Sequence, residues 1–398
     1  MRKEALKYAV TFLSFSVCTD CRKTYAPPEV TTNHMYLTID GTINMNNSGI
    51  SHFQITRSQM LSDTAPFIPE TGATVSIQTE GGGVSYALRD SGSNGMYVSD
   101  PLSLDMSRKY ILTVVTANGE KYASDPVTPK QTPPIDSLSW SIGLDVISNN
   151  NALNIYVNTH DALGNTKFYR WDFTETWEHE SPYRSYYYVL DDTLLVFDSL
   201  PPKHNWQCWS NAASSNILLG SSENLSADII PQTLINRIYF NDPRIDVKYS
   251  ILVRQYALDS SAYDYWTLVQ KQSQTLGGLF DIIPAQLTGN FHNLKNPAEP
   301  VYGYVSASTI QEQRIFINHQ QIPDWKSIPQ QCTQYTIYPD SIPGDTLWYR
   351  IYSNVDPNFT FLQFSKDRKN KTIQLFESTS CVDCTFQGGS TIKPPFWQ

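Results

Sequence analysis

From residue 35 to residue 124 apolar and polar side chains alternate in short runs, and a turn signal interrupts the pattern every 8–15 residues. This period of two constrains the fold most. Successive side chains on a strand point to opposite faces, whereas a helix needs apolar residues three and four apart. The runs are Met35–Gly41, His52–Arg57, Ala73–Gln78, Val84–Leu88, Gly95–Val98, Lys109–Thr116 and Lys121–Ser124. Gly81-Gly82-Gly83 and Asn118-Gly119 supply turn chemistry between them. About seven short strands in about 95 residues predict a β-sandwich over residues 34–128. Composition agrees. Aromatic residues make up 13% of the chain and charged residues only 17%, which suits pleated surfaces better than helical bundles.

The stretch Gly72–Tyr97 resembles prealbumin-like and carboxypeptidase-regulatory-like modules, so the N-terminal sandwich is expected to be Ig-like or prealbumin-like. Pro126, Pro129, Pro133 and Pro134 then break the ladder and mark a linker. A larger β-rich domain is predicted over residues 135–398. Tyr169–Trp177 alternates for nine residues and places Tyr169, Trp171, Phe173 and Trp177 on one face. That stripe reads as sandwich core, with sugar-stacking platforms as the functional alternative. Lys248–Leu258 puts Tyr249, Ile251, Val253, Gln255 and Ala257 on one face, and Val301–Ala307 and Arg314–Ile317 read as further strands. One helix is predicted near residues 260–276, capped by Ser260, stopped by Gly277-Gly278, with Ala262, Trp266, Val269 and Ser273 on one face. The fold class is therefore mainly β with one inserted α-helix.

The N-terminus begins with basic residues and continues through an apolar run, Tyr8–Val17, that is too short to span a bilayer. Residues 1–17 read as a secretory signal. Cys18 follows directly, which predicts lipidation of Cys18 and a lipidated tether over residues 18–33, although Val17 stands where lipoprotein processing favours a small residue. Six cysteines are present: Cys18, Cys21, Cys208, Cys332, Cys381 and Cys384. With Cys18 acylated and Cys21 in the tether, the last four are disulfide candidates with three possible pairings. A four-cysteine zinc site competes, but such sites draw on two close pairs, and only Cys381 and Cys384 are close. In an exported chain these cysteines are expected to stitch down the C-terminal tail.

No catalytic set emerges. The seven histidines show no metal-ligand spacing, Gly81-Gly82-Gly83 is a hairpin tip rather than a phosphate cradle, and no strand-to-helix nucleophile elbow is present. Asp172, Glu175, Glu178 and Glu180 lie close in sequence, yet a glycosidase needs two carboxylates at a set spatial gap. A net charge of −9 without an extended basic patch argues against nucleic acid. The chain reads as a non-enzyme with no metal and no cofactor.

Several stretches carry a family resemblance. They are Cys208-Trp209, Tyr249–Leu258 running into Ala262–Trp266, Gly277–Asp281 with Gly289-Asn290, and Pro300–Ser308 with Arg314–Ile317. The tail with Cys381, Cys384, Gly388, Gly389, Pro394, Phe396 and Trp397 completes the set, and Ile39-Asp40-Gly41 and Gly72–Val75 match in pattern. In this order they resemble the exported lipoproteins grouped as domain of unknown function 4249 in Bacteroidota. The resemblance implies a lipoprotein of the cell outer membrane. It also implies a non-enzymatic accessory or ligand-binding partner of a TonB-dependent outer-membrane transporter, with no known catalytic residues. A surface glycan- or peptide-binding protein or adhesin is the alternative.

Overall fold

The computed structural model describes residues 35–58, 68–92, 94–145, 148–190, 193–196, 205–274, 289–328, 330–338 and 358–398. Tyr36–Gln398 form one compact unit. The signal segment 1–17, Cys18, the tether 18–33 and the Gly277-Gly278 stop lie outside the described residues.

The alternation of residues 35–124 becomes eight strands: Leu37–Asn44, His52–Arg57, Ile68–Pro69, Thr74–Thr79, Ser85–Asp90, Met96–Ser99, Tyr110–Val115 and Lys121–Ser124. Their inward positions, among them Leu37, Ile39, Phe53, Ile55, Val75, Ile77, Leu112 and Val114, form one core. Three more strands join from far along the chain: Phe291–Asn293, Tyr302–Gly303 and Ser306–Ser308. Phe291–Asn293 pairs with Lys121–Ser124 at one edge, while Tyr302–Gly303 and Ser306–Ser308 run parallel to Leu37–Asn44 at the other. A single segment thus supplies both edges. The expected two-layer sandwich is instead one continuous eleven-stranded sheet that curls until its edges approach. The strands predicted near Val301–Ala307 belong to this sheet, across the predicted 128/135 boundary. Sequence spacing shows strands but not the curl, and the closing strands arrive only by tertiary folding.

The closure is held by specific contacts. Asn290 Nδ2 donates to the Val305 carbonyl at 2.9 Å, and the Val305 amide donates to Asn290 Oδ1 at 2.8 Å. Gly303 has φ +123°, and a Cβ there would lie 2.0 Å from the Ile39 carbonyl oxygen. Only glycine permits that backbone and that approach.

The middle of the chain forms the two-layer packing. Ile229–Tyr239, Asn150–His160 and Ile135–Asp145 make a three-stranded sheet, in that order. Gln207–Ala213, Phe168–Glu180, Lys248–Leu258 and Ile310–Asn318 make the second sheet, with Leu218–Ser221 also paired to Phe168–Glu180. Leu153, Ile155 and Val157 of the first meet Tyr169, Trp171, Phe173, Tyr249, Ile251 and Val253 of the second. The aromatic stripe is therefore core: Trp171 is buried, Trp177 half-buried. Gln255, the one polar residue of its predicted face, is fully buried and fully used. It accepts from Trp171 Nε1 at 2.8 Å and donates to the Pro133 carbonyl at 2.8 Å and Thr159 Oγ1 at 2.9 Å. A buried amide costs stability only when unpartnered.

The helix spans Ser260–Gln274. Its cap is Asp259, not Ser260: Asp259 Oδ1 accepts from the Ala262 amide at 2.7 Å. Both residue types can cap, and the geometry selects the one a position earlier. Ala262, Tyr265 and Trp266 pack beneath the helix, and the Gly303 amide donates to Tyr265 Oη at 2.8 Å, tying the helix to the curled sheet.

Towards the C-terminus, Gln334–Ile337, Thr372–Ser378 and Phe359–Lys366 make a three-stranded sheet. Cys208 pairs with Cys384, and Cys332 with Cys381. The C-terminal segment is thereby bonded to the middle sheet through Cys208 on Gln207–Ala213. At Gly389 a Cβ would fall 2.6 Å from Cys208 Cβ and 2.7 Å from His179 Nε2, so the tail lies flat on the bridge.

Two outcomes follow from these contacts. Peptide mapping without reduction will recover Cys208 joined to Cys384 and Cys332 joined to Cys381. Removing the second bridge, which closes a sequence separation of 49, lowers stability by about 4 kcal/mol on the loop-entropy account. Recovery of four free thiols would refute both bridges. Gly303→Ala, through steric conflict with the Ile39 carbonyl, lowers stability by about 2 kcal/mol or more, measured by denaturant unfolding; an unchanged midpoint would show that the edge closes without this contact.

Candidate functional site

The strand Phe168–Glu180 sends its odd positions into the core, so its even positions line the opposite face. Exact register then aligns charges across three strands. Asp172 lies opposite Arg254, and Arg254 lies opposite Glu312. Arg254 Nε donates to Glu312 Oε1 at 2.9 Å, and Arg254 Nη1 donates to Asp172 Oδ1 at 3.2 Å and Thr174 Oγ1 at 3.1 Å. Burial opposes the charge on Arg254, but the two carboxylates outweigh it and hold the guanidinium above the usual arginine range.

Two residue pairs along, Arg170 lies opposite Tyr256. Its guanidinium carbon is 5.0 Å from the Tyr256 ring centre and 4.7 Å from that of Trp266 on the helix. This cation is held between two rings. Burial first, then Asp172, pushes the Tyr256 phenol well above its ordinary range, so it stays neutral.

The strand Leu37–Asn44 of the curled sheet, next to the closing strands, walls this face and contributes Asp40. The result is a cleft of two adjoining cavities that share Asp40, Arg170, Asp172 and Arg254. One, of about 350 Å³, is lined also by Thr174, the Ser214–Ile217 turn and Trp266. The other, of about 550 Å³, extends past Tyr256, Glu312 and His52. These volumes fall in the range of small-ligand sites.

A further cavity of about 540 Å³ lies beside the disulfide-bonded tail and is lined by His179, Asp246, Ser327 and Gln387. Burial pushes the His179 imidazole below its ordinary pKa, and Ser210 Oγ lies 2.9 Å from its Nε2. Burial likewise raises the Asp246 carboxyl. Both shifts favour the neutral form, so this cavity is less charged than its residue names suggest.

The same sheet face is covered at its other end by the tail. Trp397 is buried and donates from Nε1 to Glu178 Oε2 at 3.0 Å, while the Arg314 guanidinium lies 3.6 Å from the Phe396 ring centre. The four acidic residues grouped by sequence therefore do not converge. Asp172 lines the cleft, and Glu178 meets the tail. Glu180 accepts from Arg184 at 2.7 Å. Glu175 points inward, where Arg244 Nη1 donates to it at 2.5 Å and Tyr249 Oη at 2.8 Å. The four cysteines Cys208, Cys332, Cys381 and Cys384 serve as bridges outside the cleft. Among the described residues no group of three or more His, Cys, Asp or Glu is placed to hold a metal ion, and no helix is long and apolar enough to cross a membrane. Arg170, Arg254, Tyr256 and Asp40 were not singled out from sequence; the available signal was the polar even positions beside a recognised apolar face.

The fold and cleft define a disulfide-bonded β protein with a charged, aromatic-walled cavity. The profile described as Domain of unknown function (DUF4249) matches residues 23–314, and the chain belongs to that family. The matched range contains the whole cleft but stops before the disulfide-bearing tail. No curated protein matches the chain. Among solved structures, trypsin-activated alpha-2-macroglobulin from Escherichia coli is similar at 10% identity and a TM-score of 0.19. That match covers 57% of this chain and only 15% of the other, and a TM-score this low supports no argument.

His179 yields a pH prediction. Its folded pKa lies below the unfolded value near 6.5, so the folded state binds fewer protons. Its contribution to stability is therefore present above about pH 6.5 and is lost as pH falls below it, by at most about 1.4 kcal/mol per pH unit. His179→Gln will flatten the stability profile between pH 7 and 5 relative to the parent. Superimposable slopes would exclude the histidine as the source.

Proposed function

We propose that the protein is a binding protein of the cell envelope: a lipoprotein held at the outer membrane through Cys18. There it serves as a non-enzymatic accessory, or ligand-binding partner, of a TonB-dependent transporter. The observation that carries the binding role is the cleft around Arg170, where side chains from the helix, the middle sheet and the curled sheet meet on a preorganised surface. Two disulfides support an oxidising compartment. Lipid attachment, the taxon and the transporter rest on the resemblance to exported Bacteroidota lipoproteins.

Sugar stacking on the strand Phe168–Glu180 is less well supported. Trp171, the centre of that stripe, has its ring in the core and its Nε1 bonded to Gln255, and stacking needs an open ring face.

The test is crosslinking in the native cell followed by purification of a tagged chain from membranes. The expected result is co-recovery of an outer-membrane transporter, and release of the tagged chain into the soluble fraction on Cys18→Ala. Recovery of the tagged chain alone would sink the accessory role, and a soluble parent protein would sink the anchoring.

A further inference from the structure

Building on the binding role proposed above, we infer that the cleft takes a ligand bearing a carboxylate, and that Arg170 holds it. The two arginines of the cleft set up the argument. Arg254 has its acceptors supplied by Asp172, Thr174 and Glu312. Arg170 does not. Its side chain is 15% exposed, and its ion-pair partner among the described residues is Asp40 Oδ1, 3.9 Å from Nη1 and beyond hydrogen-bond reach. Five N–H donors are thus held in a largely buried position with no protein acceptor among the described residues. None of these nitrogens is sealed from the cavity, so the unbonded donors open onto the cleft, where an incoming acceptor can reach them.

Geometry narrows the acceptor. Tyr256 and Trp266 flank the guanidinium, which fixes the plane and leaves its edge to bond. A planar carboxylate meets that edge with two parallel hydrogen bonds, a match that a hydroxyl or a carbonyl lacks. Asp40, 63% exposed on its side chain, is free to turn aside when a ligand anion arrives. The adjoining cavities leave room for the body of a small ligand. A peptide carboxylate and a sugar acid share this chemistry.

Calorimetric titration of the full chain will discriminate between them. The probes are N-acetyl-phenylalanine against its amide, and galacturonate against galactose. At least one acid is expected to bind with its neutral counterpart about tenfold weaker or worse, and the acid that binds identifies the source. Arg170→Met, which keeps the stacked stem, is expected to abolish the preference, and Arg170→Lys to restore part of it. Equal binding of acid and neutral probe, binding of neither acid, or a preference that survives Arg170→Met would overturn the inference. The acid–neutral comparison needs only the parent protein, so a misfolded variant leaves the test intact. Transporter co-recovery is read separately: its persistence without acid binding sinks the carboxylate alone, and its loss with acid binding retained sinks the partner alone.

Discussion

The registered pairing of Phe168–Glu180 with Lys248–Leu258 is the interaction on which the rest depends. Eleven residue pairs align from Phe168 with Leu258 to Glu178 with Lys248 without a slip. A shift of one residue would exchange the two faces of either strand. Trp171, Phe173 and Val253 would then face solvent, and Asp172 and Arg254 would face the core. One register therefore builds both the sandwich interior and the charged cleft. Gln255 reinforces it, because its amide is satisfied only when Trp171, Thr159 and the Pro133 carbonyl all sit where this register puts them.

The second constraint joins the two ends of the architecture. Residues 289–308 leave the helix region, close both edges of the N-terminal sheet and then enter the strand Ile310–Asn318 of the middle sheet. The curled sheet is thus completed by the same stretch of chain that runs into the cleft floor. Asp40, on the strand Leu37–Asn44 that those closing residues pair with, stands beside Arg170. Tyr265 ties the helix into this arrangement through the Gly303 amide, and its neighbour Trp266 forms the cleft wall. Burial pushes the Tyr265 phenol up to about 12, so it remains protonated as it accepts that bond.

Much of the local structure was legible. The strands of residues 35–124, the inward face of Lys248–Leu258, the aromatic core stripe and the helix all rest on periodicity, and periodicity survives folding because it reflects which face is buried. The cap was misplaced by one residue, since Asp259 and Ser260 are chemically equivalent candidates and only backbone geometry separates them. The sandwich was placed too early in the chain: residues 34–128 make one curled sheet, and two-layer packing occurs in the middle. Short alternating strands fit either arrangement, because curl depends on which edges find partners. For the site, the acidic run Asp172–Glu180 was visible, but its members are dispersed to a cleft, a core network and two surface contacts.

The amino-acid order alone determined a mainly β chain with one helix, the residues that would face inward, and four cysteines available for bridging. These are local properties, set by side-chain alternation and residue type. Tertiary structure decided which cysteines pair, which distant strands close the N-terminal sheet, and that Arg170 lies over two rings with no hydrogen-bond acceptor among the described residues while Arg254 reaches three. Those outcomes depend on contacts between residues tens to hundreds of positions apart, and one-dimensional spacing carries no information about such distances until the chain has folded.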